Sequence, residues 1–432
     1  MFGPVNLGGA QRLLLPERVP MQFFGAAVVG HVVAWLGLAV TADDLADFVG
    51  GPGPVLAAVH VLTLGVLVPT AMGASLQMLP VALGRPAPAA RICDAVFWLT
   101  LLGGLALISG FAMASRPAII AGAMVTASGI AAYAVTLGRV VRGAREPRPL
   151  VLHVWAALAA LTTAAALALT LSFDYASPVL ADHARVATTH LVLAAFGFMG
   201  MLALGFSHVL IPMFAIGEAP GGWAADVSFA TIFVGVVAAV LGLLIGLRWL
   251  IAAALVTGLA GCGLHVSLMT RSLAHRVRRR LGPEFTLIRA SWGLLLATLM
   301  LALAVTLDLP PATGPALFGF LLLFGWLLTL LTGVLQRILP FLASMHTARA
   351  TGRTAAPTKL TDDRPLAIHR YCHFAAVATV ALGIAFAVPG VVLAGALLGT
   401  VGAVAFAWFA FTVFSRMRAH MRAPAVRERG RT

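Results

Sequence analysis

A chain of 432 residues that is 60% hydrophobic and only 10% charged cannot cover a soluble surface, because a water-exposed domain needs a far larger charged fraction. Its formal net charge of +14 would suit nucleic acid, but the arginines occupy alternate loops between long apolar stretches and never form one basic face, so that partner is excluded. The three cysteines, Cys93, Cys262 and Cys372, make neither a CxxC pair nor a zinc spacing and read as small buried residues.

A transmembrane helix needs about 20 mostly apolar residues to cross about 30 Å of hydrocarbon. Twelve stretches meet that requirement, at 21–41, 54–83, 90–112, 117–140, 150–172, 185–216, 222–246, 249–270, 284–308, 314–345, 367–389 and 390–415. They predict an all-α membrane protein of twelve transmembrane helices, with the lipid bilayer as its surroundings. Only Pro389-Gly390 divides the last two. A polar connection is expected over about 346–366.

The twelve spans carry an internal repeat. Gly73-Ala-Ser-Leu-Gln-Met-Leu-Pro80, Gly205-Phe-Ser-His-Val-Leu-Ile-Pro212 and Gly333-Val-Leu-Gln-Arg-Ile-Leu-Pro340 lie 132 and 128 residues apart, each near the end of a long apolar segment. Such a period fixes the architecture. It divides one transmembrane domain into three pseudo-threefold units of four helices, 1–145, 146–282 and 283–432. Asp94 and Asp226 each follow the signature proline by fourteen residues. Proline frees a backbone carbonyl one turn earlier and glycine permits a bend or a close neighbour. The second helix of each unit is therefore expected to line the interior.

Charge sets the orientation. Arg139, Arg142, Arg145 and Arg148, then Arg271, Arg276, Arg278, Arg279 and Arg280, then Arg349, Arg353, Lys359, Arg364 and Arg370, and the tail from Arg416 to Arg431 fall in alternate connections. The opposite connections hold Asp43, Asp44, Asp47, Asp174, Asp182 and Asp308 with only three arginines. The positive-inside rule then predicts a bacterial inner-membrane protein with both termini cytoplasmic, its first span an uncleaved anchor.

Twelve histidines against fifteen acidic residues is a high share for such a chain. Ionisable groups at membrane depth normally face the bundle interior, and imidazole ligates haem iron or copper. His60 begins the second span and His190 the sixth, each about 9 Å below the outer surface at 1.5 Å per residue. His208 follows His190 by eighteen residues, five α-helical turns, which would put both on one face. His31 lies near mid-membrane on the first span. His60 and His190 are the leading candidate cofactor ligands, and His190, His208 and His31 the candidate metal ligands; each could equally be an interior histidine that hydrogen-bonds neighbouring helices. His153, His265, His369 and His373 lie nearer the cytoplasmic side and read as structural or interfacial. His183, His275, His346 and His420 are expected in solvated loops or the tail.

The run His60-Val-Leu-Thr-Leu-Gly65, Pro69, Gly73, Gln77, Pro80, Gly84-Arg-Pro86, Arg91, Asp94 and Phe97-Trp98 resembles helices two to three of the haem-copper oxidase subunit I superfamily, which includes the large subunit of nitric-oxide reductase. His190 to Gly200 resembles helix two of the nitric-oxide reductase branch. The resemblance implies three helical quartets, with His60 as an axial haem ligand and His190 where the first copper ligand stands. The pattern departs elsewhere. The span 222–246 lacks the adjacent histidine pair of the family's seventh helix, and Phe318-Gly319-Phe320 stands where two helix-ten haem ligands would be. A dioxygen- or nitric-oxide-reducing binuclear centre is therefore not expected.

What the resemblance implies is a divergent relative that binds haem, copper or both near the periplasmic face. Its role would be redox transfer, gas sensing or protection in respiration or nitrogen-oxide metabolism, with a respiratory oxidase, reductase or electron-donor cytochrome as partner. Two alternatives are a small-solute permease, with Asp94, Asp226 and Gln77 along a polar route, and a cofactor-free accessory or assembly factor. No Ser-His-Asp spacing, carboxylate pair or phosphate loop points to a hydrolase.

Overall fold

The structure is a computed structural model and describes residues 13–278, 281–309 and 312–422. Arg279, Arg280 and the tail beyond Arg422 lie outside the described residues. Twelve helices are long and apolar enough to cross a bilayer: α1 (Arg18–Val40), α2 (Pro54–Leu83), α3 (Ala90–Ala112), α4 (Arg116–Val141), α5 (Arg148–Asp174), α6 (His183–Ala215), α7 (Trp223–Ile245), α8 (Arg248–Ala274), α9 (Glu284–Thr306), α10 (Gly314–Thr351), α11 (Asp363–Ala385) and α12 (Pro389–Arg422). The chain is an all-α, twelve-helix, multi-pass membrane protein, and no strand occurs among the described residues. That is the fold bilayer physics favours, since a helix satisfies every backbone group internally.

The helices α2, α6 and α10 are the most buried. Around them, α3 packs on α4, α7 on α8 and α11 on α12, while α12 closes against α1, α4 against α5 and α8 against α9. Small residues make these contacts close. The signature glycines do the same between the first and second helix of each unit. A Cβ at Gly73 would lie 2.7 Å from Phe23 Cβ, one at Gly205 2.5 Å from His153 Cβ, and one at Gly333 3.0 Å from Leu287 Cβ. A close neighbour is thus the glycine's role in all three copies, and Pro80, Pro212 and Pro340 sit inside their helices.

Each inner helix also contains a stretch of π-helix: Thr63–Leu67 in α2, Leu193–Gly200 in α6 and Leu321–Leu328 in α10. All three end five or six residues before the signature glycine. The stretch in α10 packs on those of α2 and α6, with Trp326 stacked on Phe196 at 5.4 Å. Periodicity did not reveal these wide turns, which are rare and recur at functional positions.

The repeated aspartates pair with the first residue of the unit's first helix, Arg18 with Asp94 at 2.7 Å and Arg148 with Asp226 at 3.0 Å. Two expectations need correction. The helix α10 runs eleven residues past Pro340 to Thr351, so His346 is a buried helical residue, not a solvated loop histidine. His183 is only partly exposed and holds Asp174 at 2.7 Å.

Candidate metal centre

One histidine of α1 and two of α11 meet inside the bundle. His31, His369 and His373 are all fully buried, and one ring nitrogen from each lies within 4.8 Å of the other two. It is the one such group of three His, Cys, Asp or Glu among the described residues. The i, i+4 spacing on α11 stacks the rings of His369 and His373 at 5.5 Å. Glycines of α12 make room for this packing. A Cβ at Gly402 would press on Cys372 Cβ at 3.1 Å, and one at Gly399 would collide with the Trp35 indole.

Each ring ties one nitrogen to the scaffold and leaves the other bare. The Thr329 hydroxyl stands 2.7 Å from His373 Nε2 and 3.3 Å from the Phe324 carbonyl; when its one hydrogen goes to the carbonyl, it accepts from His373 Nε2–H. His373 Nδ1 then carries a free lone pair. The Gln336 amide lies 3.0 Å from His369 Nδ1. A half-turn of that amide exchanges its nitrogen and oxygen; with oxygen toward the ring it accepts Nδ1–H and frees the lone pair of Nε2. Trp35 differs, because an indole N–H can only donate. It donates to His31 Nε2 at 3.2 Å, so the hydrogen of neutral His31 sits on Nδ1. His31 Nδ1, His369 Nε2 and His373 Nδ1 are all buried without a hydrogen-bond partner.

Buried polar atoms are almost always paired, and each orphan is costly. Three imidazoles with ligand atoms this close could hold a metal ion, and for His369 and His373 a partner on the second nitrogen would fix the ring. With the Gln336 amide turned and Thr329 accepting, His369 and His373 would be ready ligands, and His31 would become the third by giving up its bond from Trp35. No carboxylate bonds to any of the three among the described residues, so the centre would carry the charge of the ion alone.

The other predicted ligands lie elsewhere. His60 and His190 stand on the face away from the basic loops, within electrostatic range of each other. His60 Nδ1–H donates to the Leu56 carbonyl at 2.9 Å and its ring lies on Phe111 at 4.7 Å. His190 Nδ1–H donates to the Ala164 carbonyl at 2.9 Å, joining α6 to α5. Both leave Nε2 to ligate, and neither is fully buried. His190 and His208 are about 27 Å apart along α6, too far to share an ion. His208 instead meets His153 and His265, and His31 belongs to the α11 pair. The residues read as structural, His369 and His373, are thus the core of the central group. Their four-residue spacing was the signal available for them.

No model of a known protein family matches the chain and no curated protein matches it either.

Proposed function

We propose that the chain is a membrane-embedded metalloprotein whose central group, His31, His369 and His373, holds a transition-metal ion. The observation that carries this reading is three buried imidazoles with ligand atoms within 4.8 Å, each with one nitrogen unpartnered. Imidazole suits zinc, copper, iron and nickel. Copper in its monovalent state fits best, because burial cost rises with the square of the charge and no carboxylate offsets it. Copper supplies one-electron chemistry when bound; the protein contributes orientation through Thr329 and Gln336, exclusion of water, and a third ligand released by Trp35.

His60 and His190 support a second centre near the opposite face, the haem of the haem-copper oxidase resemblance. Their donor chemistry fits axial ligation, since each Nδ1–H is fixed on a carbonyl and Nε2 is left to ligate. The proposed role is electron transfer, gas sensing or protection in respiration or nitrogen-oxide metabolism, alongside a respiratory complex or cytochrome, in an inner membrane with the basic loops cytoplasmic. The permease reading has less support, because Asp94 and Asp226 are held in ion pairs.

The test is metal analysis and an optical spectrum of the purified protein. Bound copper that falls by one equivalent in His369→Gln/His373→Gln supports the central site, and an unchanged content refutes it. A Soret band lost in His60→Ala supports haem, and a colourless wild type removes it.

A further inference from the structure

A second group of three histidines lies toward the basic loops, on helices the central site does not use. His153 of α5, His208 of α6 and His265 of α8 are each at most 2% exposed. The His153 and His208 rings are 5.8 Å apart and those of His208 and His265 5.1 Å.

Their tautomers follow from their partners. A carbonyl only accepts, so His153 Nδ1–H donates to the Pro149 carbonyl at 2.7 Å and His208 Nδ1–H to the Pro220 carbonyl at 3.3 Å. Ser207 lies 2.7 Å from the Leu204 carbonyl and 2.8 Å from His265 Nε2; with its one hydrogen on the carbonyl, which can only accept, it accepts from His265 Nε2–H. The opposite nitrogens, His153 Nε2, His208 Nε2 and His265 Nδ1, are all buried without a partner. With that tautomer at His265, all three are bare lone pairs. A water molecule has two hydrogens and cannot satisfy three acceptors; a metal cation can.

The repeat shows where the group sits within the scaffold. Ser75 and Ser207 hold the same place in the signature, two residues after its glycine, and each reaches the fourth helix of its unit. Ser75 bonds Tyr133 at 2.7 Å, and Ser207 bonds His265. Tyr133 and His265 both lie seventeen residues into their helices. The second unit places an imidazole where the first has a phenol. Gly205 gives His153 its seat, since a Cβ there would lie 2.5 Å from His153 Cβ.

We infer that His153, His208 and His265 form a second transition-metal site, selective for a monovalent ion such as copper(I). No carboxylate bonds to any of the three among the described residues. Their ring nitrogens are less closely drawn than those of the central group, so loading turns a ring inward. His208 has the slack to do so, its bond to the 216–222 connection being the longest of the three.

The experiment loads purified full-length protein in detergent, without oxygen, with copper(I) alone and counts bound copper. His208→Gln and His265→Gln should each lose one equivalent relative to wild type, with unchanged helical circular dichroism. In His369→Gln/His373→Gln, which removes the central pair, X-ray absorption should show three nitrogen neighbours about 2.0 Å from the copper. Ser207→Ala, which removes no ligand, should keep that copper but bind it about 10- to 100-fold more weakly. Copper content unchanged in His208→Gln and His265→Gln overturns the inference. If the central substitutions lose nothing while these lose one equivalent, the central reading fails and this one stands.

Discussion

Replacing Trp35 by phenylalanine removes one N–H group that sets the state of His31. In the structure that N–H donates to His31 Nε2, so Nδ1 holds the ring's hydrogen and cannot bind a cation. For Nδ1 to ligate, the hydrogen must move to Nε2, where it faces the indole N–H and leaves two buried donors opposed. An unsatisfied buried group costs about 1–3 kcal/mol. Removing the indole donor should therefore tighten copper(I) binding at the central site by roughly 5- to 150-fold, at about 1.36 kcal/mol per tenfold. Trp35 is fully buried against Phe324 at 4.8 Å, so the smaller ring should also cost about 1–3 kcal/mol of stability. Competition with a copper(I) chelator measures the affinity, and thermal melting follows stability separately. The control is a double-mutant cycle: in a His31→Ala background the gain from Trp35→Phe should vanish. Unchanged or weaker binding in folded Trp35→Phe would refute His31 as the adjustable third ligand.

Gln336→Leu removes the group that orients His369 and should weaken metal binding at the central site by about 10- to 100-fold, measured by the same competition. Thr329→Val acts on His373 Nε2 in the same way and should weaken it by a similar factor. Gly205→Ala forces a methyl group against His153 and should destabilise the protein by about 1–3 kcal/mol in thermal melting. Gly263→Ala, where nothing lies within 4 Å of the added carbon, should be neutral or slightly stabilising. Asp226→Asn breaks an ion pair whose partners are 37% and 63% exposed, so melting should change by about 1 kcal/mol or less and metal content not at all. A large loss of bound metal would instead show that this pair shapes a site.

The number of spans was legible because hydrocarbon imposes one rule along the whole sequence, while α10 and α12 run past their expected ends to Thr351 and Arg422. The signature marked α2, α6 and α10 as the interior helices. The sites were less legible. Depth singled out His60 and His190, and depth alone placed His369 and His373 too near the basic loops to look functional. What joins them to His31 is the packing of α11 on α12 and of α12 on α1, a closure between the two ends of the chain that no local pattern encodes. The expected common face of His190 and His208 assumed an unbroken α-helix, whereas the π stretch at 193–200 intervenes. The burial of His346 was hidden because the third signature proline, unlike the first two, is followed by about three more helical turns.

The wide turns of the inner helices have a consequence for how each end of the molecule is aimed. A π turn takes up one residue beyond the α-helical count, so the residues on its far side fall about 100° and about 1.5 Å short of where an unbroken α-helix of the same count would carry them. In α2 the imidazole of His60 and the Gly73–Pro80 segment flank such a turn, so their bearings are set separately. Deleting Leu64 alone should let the turn close to α-helical pitch with His60 and Gly73 both kept in place, whereas deleting a residue outside the turn would swing one against the other by about 100°. The same slack at all three inner helices lets residue spacing drift between copies while their common proximal halves stay locked together.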